Sequence, residues 1–141
     1  MEQKSGFNRI DKSDQRMYGP RGILVCGYTK EERGEFLDFI NKISMGDIRV
    51  IFAVNEDVEK TLSEVFTHEH QDGITGASEL PRSVIMSGLT QNELHCLMRS
   101  YREEGFISQI WASLTPNSET WTLKALLIEL LAEARAMQKK Q

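Results

Sequence analysis

The chain has 141 residues, of which 40% are hydrophobic and 27% charged, enough for one domain with a core of its own. Its formal net charge of −4 argues against a nucleic-acid partner, because proteins that bind phosphate backbones usually carry a basic face. No stretch approaches the ~20 apolar residues of a membrane span, no secretory signal pattern is seen, and Cys26 and Cys96 are too few for a disulfide framework. A soluble intracellular protein in a reducing compartment is expected.

The chain opens with a polar lead-in. Residues 1–19 show no hydrophobic period, and such a stretch buries too little apolar surface to offset the entropy lost on ordering. We therefore expect a flexible segment over residues 1–19, followed by a single domain over residues 20–141.

The first half of that domain alternates strand and helix signals. Residues 23–26 are a continuous apolar run, typical of a strand buried on both faces. Thr29 with Glu32 three residues later forms a capping box, which predicts the start of a helix. A second strand is expected over residues 48–54, and Asn55 is expected to cap the helix that follows.

The second half repeats this plan. Residues 21–29, RGILVCGYT, return 61 positions later as residues 82–90, RSVIMSGLT. Between the halves, residues 67–80 have no helical period and predict a long loop. A fourth strand is expected over residues 106–114 and a last helix over residues 118–137.

The order of elements predicts an α/β fold made of two β-α-β-α halves, about residues 21–66 and 82–137. Alternation of this kind favours a mostly parallel sheet with crossover helices on both faces. Two such halves pair most simply through their first strands, which predicts a four-stranded sheet in the order 2-1-3-4.

The two strand-to-helix turns are the first candidate site. Gly27 and Gly88 end neighbouring central strands, and Thr29 and Thr90 begin the helices that follow. If both turns lay at the switch point of a parallel sheet, the helix N-termini could bind a small ligand or a nucleotide phosphate. Neither turn carries a complete glycine-rich phosphate motif, so a purely structural role for the glycines is the competing interpretation.

Other residues that could carry chemistry form no complete set. His68 and His70 could face one metal ion, but a zinc site normally has at least three protein ligands, so no metal is predicted. Cys26 and Ser87 precede the two glycines, yet nothing in the sequence places a histidine beside either of them. No catalytic residue and no cofactor are predicted, and a non-enzymatic role is favoured.

The end of the fourth strand suggests a partner surface. Asn117 lies in a helix-start signal, and Trp121 follows it where a tryptophan would be core or contact a partner. The fourth strand, an edge in the predicted order, carries Ile107, Gln109, Trp111 and Ser113 at alternate positions, and this edge could pair with another chain.

The segment 107–130, with Thr-Pro-Asn, Trp121 and a leucine-rich helix, resembles an uncharacterised family known as domain of unknown function 3783. The likeness covers about residues 82–135, and Asn117 and Trp121 stand at the family's spacing. The resemblance implies a small α/β domain of bacterial and plastid-bearing lineages, hence a plastid stroma location, and it supplies no activity. Together these observations favour a protein-interaction or assembly and biogenesis module whose partner is another protein.

Overall fold

The computed structural model describes residues 14–139. Within that range, strands and helices alternate as expected: β1 (Gly22–Cys26), α1 (Lys30–Lys42), β2 (Val50–Phe52), α2 (Leu62–Val65), β3 (Ser83–Ser87), α3 (Gln91–Glu103), β4 (Ile110–Ser113) and α4 (Leu123–Lys139). Short 3₁₀ turns at Asn55–Asp57 and Ser118–Thr120 precede α2 and α4.

The four strands form one sheet in the order β2-β1-β3-β4, which confirms the predicted α/β fold and strand order. β1 pairs with β2, and β3 with β4, in parallel. The central pair β1 and β3 is antiparallel, with Leu24 opposite Ile85 at its middle. The strands of the first half therefore run opposite to those of the second half. As a result, the C-terminal ends of β1 and β2 lie at the same end of the sheet as the N-terminal ends of β3 and β4.

Helices cover both faces of the sheet. On one face, α1 and α3 pack on strand residues such as Ile23, Val84 and Met86 to form an aromatic-rich core. On the other face, α2 and α4 pack on residues such as Leu24 and Ile85. This alternation explains why the central strands read as continuous apolar runs, since each successive side chain enters a different core.

Threonine capping boxes begin three of the helices. The Thr29 and Thr90 hydroxyls accept hydrogen bonds from the backbone amides of Glu32 and Glu93. Each glutamate carboxylate in turn accepts a hydrogen bond from the threonine amide. A third box at Thr61 starts α2, so the helix expected from Asn55 begins later and is shorter. Asn55 instead accepts a hydrogen bond from the Glu79 amide, 2.8 Å away.

The end of the polar lead-in packs against the domain. The Met17 amide donates to the Leu89 carbonyl at 2.8 Å, and the Gly88 amide donates to the Tyr18 carbonyl at 3.0 Å. Arg16 also donates to the Gly88 carbonyl. Residues 16–18 of the expected flexible segment therefore pack on the domain, whereas its residues 1–13 lie outside the described residues.

The long loop after α2 closes one edge of the sheet. The Gln71 amide donates to the Val50 carbonyl at 2.6 Å, and the Phe52 amide donates to the Asp72 carbonyl at 2.9 Å. The Val50 amide donates to His70 Nδ1 at 3.0 Å. These three bonds satisfy the amide and carbonyl of Val50 and the amide of Phe52, so residues 67–80 act as a cover for that edge strand. Among the residues that the structure describes, no helix is both long enough and apolar enough to cross a membrane.

Candidate functional site

The two glycine turns do not form a shared site. Because β1 and β3 are antiparallel, Gly27 and Gly88 lie at opposite ends of the sheet, and the expectation that they meet at one switch point is wrong. Gly27 packs instead against the segment that leads into β3, and Gly88 packs against the segment that leads into β1. A Cβ atom on Gly27 would lie 2.4 Å from the Leu80 carbonyl oxygen, and one on Gly88 would lie 2.5 Å from that of Gly19.

The helix N-termini after these turns already carry carboxylates. Glu32 and Glu93, the acidic members of the capping boxes, accept the Thr29 and Thr90 backbone amides and so place a negative charge at each helix start. Each also binds an arginine from the other half: Arg82 Nη1 lies 2.8 Å from Glu32 Oε1, and Arg21 Nη1 lies 2.7 Å from Glu93 Oε1. These ion pairs join the two halves and leave little to attract a phosphate to Thr29 or Thr90.

The two loop histidines have other partners. His68 Nδ1 lies 3.0 Å from Asp72 Oδ2, and His70 Nδ1 accepts the Val50 amide. Within residues 14–139, no group of three or more histidine, cysteine, aspartate or glutamate side chains is arranged to hold a metal ion. His68 therefore stabilises the loop that covers β2, and His70 joins that loop to the strand.

The two strand residues before the glycines are buried. Cys26 is fully buried, and this burial raises the pKa of its thiol to about 12. Ser87 is likewise buried, and its hydroxyl has no hydrogen-bond partner in the described part of the chain. A thiol with that pKa supplies almost no thiolate near neutral pH, so Cys26 is a core residue.

The candidate partner residues separate onto different surfaces. Trp121 is half-buried in the core beneath α2 and α4, and its carbonyl accepts the Leu62 amide at 2.9 Å. Asn117 is exposed at the 3₁₀ turn and makes no capping bond with its side chain. Trp111 lies on the opposite face, on β4, with its ring 5.2 Å from that of Tyr101.

The outer edge of β4 is the feature that distinguishes the two halves. Ile110 and Leu114 donate backbone bonds to β3, so the intervening Trp111 and Ser113 direct their amides and carbonyls away from the sheet. No hydrogen bond from any residue between 14 and 139 reaches those groups. On β2, which lies 61 positions earlier in the chain, the corresponding groups are bonded to the covering loop. Within residues 14–139 the second half has no equivalent loop, since α4 extends to the end of the described chain.

A groove flanks this edge on each face of the sheet. On the α3 face, a groove of about 180 Å³ lies beside Trp111 and is bounded by Met98, Tyr101 and Phe106. On the α4 face, a larger groove of about 460 Å³ separates Ile110 from the second half of α4. Gln109, at the approach to β4, lines both grooves.

A polar cluster at the start of β4 supports both grooves. The Arg82 guanidinium lies over the Tyr28 ring, 3.9 Å from its centroid, and donates to the Tyr101 hydroxyl at 3.1 Å. Tyr28 in turn donates to Gln109 Oε1 at 2.6 Å, and Tyr101 donates to the Ile107 carbonyl at 2.5 Å. Burial raises the pKa of Tyr28, so its hydroxyl stays protonated and acts as a donor.

Sequence reasoning identified Trp111 and the edge position of β4 but missed Arg82 and Gln109. Both are polar residues at the beginnings of strands, and no motif or spacing marks them. The one available signal was the pair Arg21 and Arg82 at equivalent positions of the repeated segment. Their partners Glu32 and Glu93 stand at the same offset, which could have suggested reciprocal ion pairs.

The fold and this site define a four-stranded α/β domain with one edge strand that its own loop covers and one edge strand, β4, that no residue from 14 to 139 covers. Residues 82–137, which span β3 to α4, match a family described as a domain of unknown function (DUF3783). This match confirms the resemblance seen in the sequence and includes the whole uncovered edge, whereas residues 21–66 lie outside it. No curated protein and no solved structure matches the chain.

Proposed function

We propose that this protein is a non-enzymatic interaction module that binds an extended segment of another protein along the outer edge of β4. The observation that supports this most strongly is the row of backbone groups at Trp111 and Ser113 that no residue from 14 to 139 pairs with, beside two grooves. In recognition by strand addition, main-chain hydrogen bonds supply affinity, and pockets for alternate side chains supply specificity. The edge of β4 offers both.

The contrast between the two edges supports the proposal. Exposed edge strands invite aggregation, and folded proteins usually cover or charge them. Three hydrogen bonds join β2 to the loop that covers it, whereas in the described part of the chain β4 has no equivalent. The half-buried aromatic side chain of Trp111 at the centre of the bare edge is of a type enriched where partners bind.

Selection from a displayed library of random seven-residue peptides tests the proposal. The wild-type protein is expected to select peptides, whereas Ser113→Pro should not, because proline removes the outward amide that a partner strand needs. Ser113→Ala is the matched control, since it keeps the amide and should bind the same peptides. The Ser113 amide makes no bond to β3, so the proline variant is expected to remain folded, which circular dichroism and sedimentation check.

Two results would contradict this function. Equal selection by wild type and Ser113→Pro would place binding elsewhere, for example at the exposed Asn117 beyond the end of β4. A wild-type dimer that Ser113→Pro converts to a monomer would identify the occupant of the edge as a second copy of the chain rather than a different protein.

A small-ligand or phosphate-binding function at the Gly27 turn or the Gly88 turn alone is a weaker candidate, since the two turns lie at opposite ends of the sheet and share no ligand. A thermal-shift screen against nucleotides and phosphosugars tests it. An assembly or biogenesis role agrees with the interaction proposal. A plastid location rests on the family resemblance alone, and imaging of the tagged protein in its host tests it.

A further inference from the structure

The groove on the α4 face has a distinct chemical character. Its polar lining consists of cationic and neutral side chains, with no carboxylate among them, and its remaining lining is aliphatic: Arg82, Ser108, Gln109, Ile110, Leu131, Ala134, Arg135 and Gln138. Arg135 is exposed and makes no ion pair with any residue from 14 to 139. Glu32 binds Arg82 but does not line this groove.

Two buried hydrogen-bond donors beside the groove lack an acceptor. Arg82 uses Nη1 for Glu32 and Nη2 for Tyr101, and its Nε is buried with no partner in the described chain. Gln109 accepts from Tyr28 with its carbonyl oxygen, and its Nε2 is buried and equally unpartnered. Because neither atom is exposed to solvent, a ligand in the groove does not contact them as these side chains stand, and the exposed cation available to such a ligand is Arg135.

The geometry of strand addition determines which part of a partner reaches this groove. Residues directly opposite each other in neighbouring strands project to the same face of the sheet. A partner residue opposite Ile110 therefore projects toward α4 and the groove with Arg82 and Arg135. Its neighbours along the partner strand project toward Trp111 and the groove on the α3 face.

We propose that the β4 edge selects segments that carry an aspartate or glutamate at this position, with the carboxylate held in the α4-face groove by Arg135. This inference rests on the proposed binding of an extended segment. A carboxylate supplies several acceptor sites for the planar guanidinium of Arg135, which makes no ion pair with any residue from 14 to 139. The aliphatic floor of Ile110, Leu131 and Ala134 accommodates the methylene groups of the acidic side chain.

Peptide selection with charge variants tests this specificity separately from binding itself. Peptides selected by the wild-type protein are expected to be enriched in Asp or Glu at one position of an alternating pattern. Arg135→Glu should lose that enrichment, and the best acidic peptide should bind it at least about tenfold more weakly by fluorescence anisotropy. Lys124→Glu makes the same charge change at an exposed site elsewhere on α4 and should leave both results unchanged.

The outcomes separate the two proposals. Selected peptides with no acidic preference, or with a preference that Arg135→Glu leaves intact, would overturn the carboxylate inference while strand addition stands. If Arg135→Glu and Lys124→Glu weaken binding of the acidic peptide equally, the effect comes from net charge, and the carboxylate inference for this groove is wrong. Failure of the wild-type protein to select any peptide that Ser113→Pro does not would overturn both proposals.

Discussion

Replacing Gly27 by alanine tests whether the glycine turns are packing features or ligand sites. Gly27 has a φ of +79°, and an added Cβ would lie 2.4 Å from the Leu80 carbonyl oxygen and 2.7 Å from the Arg82 amide nitrogen. Both are backbone atoms of the segment that leads into β3, so the two halves must separate to make room.

The expected loss of stability has two parts. The left-handed backbone costs an L-residue about 1–2 kcal/mol, and overpacking against backbone costs about 1–3 kcal/mol more. Gly105 provides the matched control, because it has a φ of +81° but no atom within 4 Å of its Cβ position. Gly105→Ala should therefore lose only the first part, about 1–2 kcal/mol.

Urea unfolding followed by circular dichroism measures both variants. We expect Gly27→Ala to be less stable than Gly105→Ala by about 2 kcal/mol, with unchanged slope against denaturant. Equal losses in the two variants would refute the close approach of the halves at this turn. A near-wild-type stability of Gly27→Ala would also reopen Gly27 as a functional residue.

Two further measurements examine the pairing of the halves and the buried thiol. The hydrogen bond from Arg21 lowers the pKa of the Glu93 carboxyl, and this effect outweighs the opposite effect of burial. The pair therefore contributes its full stability above the unfolded pKa of about 4.3, and that stability is lost as pH falls through the lower folded pKa. Glu93→Gln should thus lower the free energy of unfolding, measured by urea titration, by about 1 kcal/mol at pH 7 and by progressively less below pH ~4. A loss that does not change with pH would contradict the ion pair. With Ellman's reagent at pH 8, the native protein should present one reactive thiol, Cys96, and should release Cys26 only on unfolding; two rapidly reacting thiols would contradict the burial of Cys26.

The architecture was predictable because two strong signals agree. Continuous apolar runs such as residues 23–26 specify buried strands, and the capping boxes at Thr29 and Thr90 specify where helices begin. These local signals, with the preference for sequential strands to be neighbours, lead to the order β2-β1-β3-β4.

The direction of β3 was not predictable from the same signals. Leu24 and Ile85 would be equally buried in a parallel or an antiparallel pair, and the connection over residues 67–80 is long enough for either. That ambiguity is the reason why Gly27 and Gly88 were expected at one site. The covering of β2 was also invisible, since it depends on backbone bonds from Gln71 and Asp72 that no hydrophobic pattern records.

Hydrogen exchange at individual β4 amides, measured by NMR with and without a selected peptide, tests the proposed binding mode at the atoms concerned. In the free protein, the Trp111 and Ser113 amides should exchange much faster than that of Ile110, which is bonded to Arg82. Saturating peptide should protect Trp111 and Ser113 and leave the β2 edge unchanged. Peptide binding without new protection at these two amides would contradict strand addition to β4.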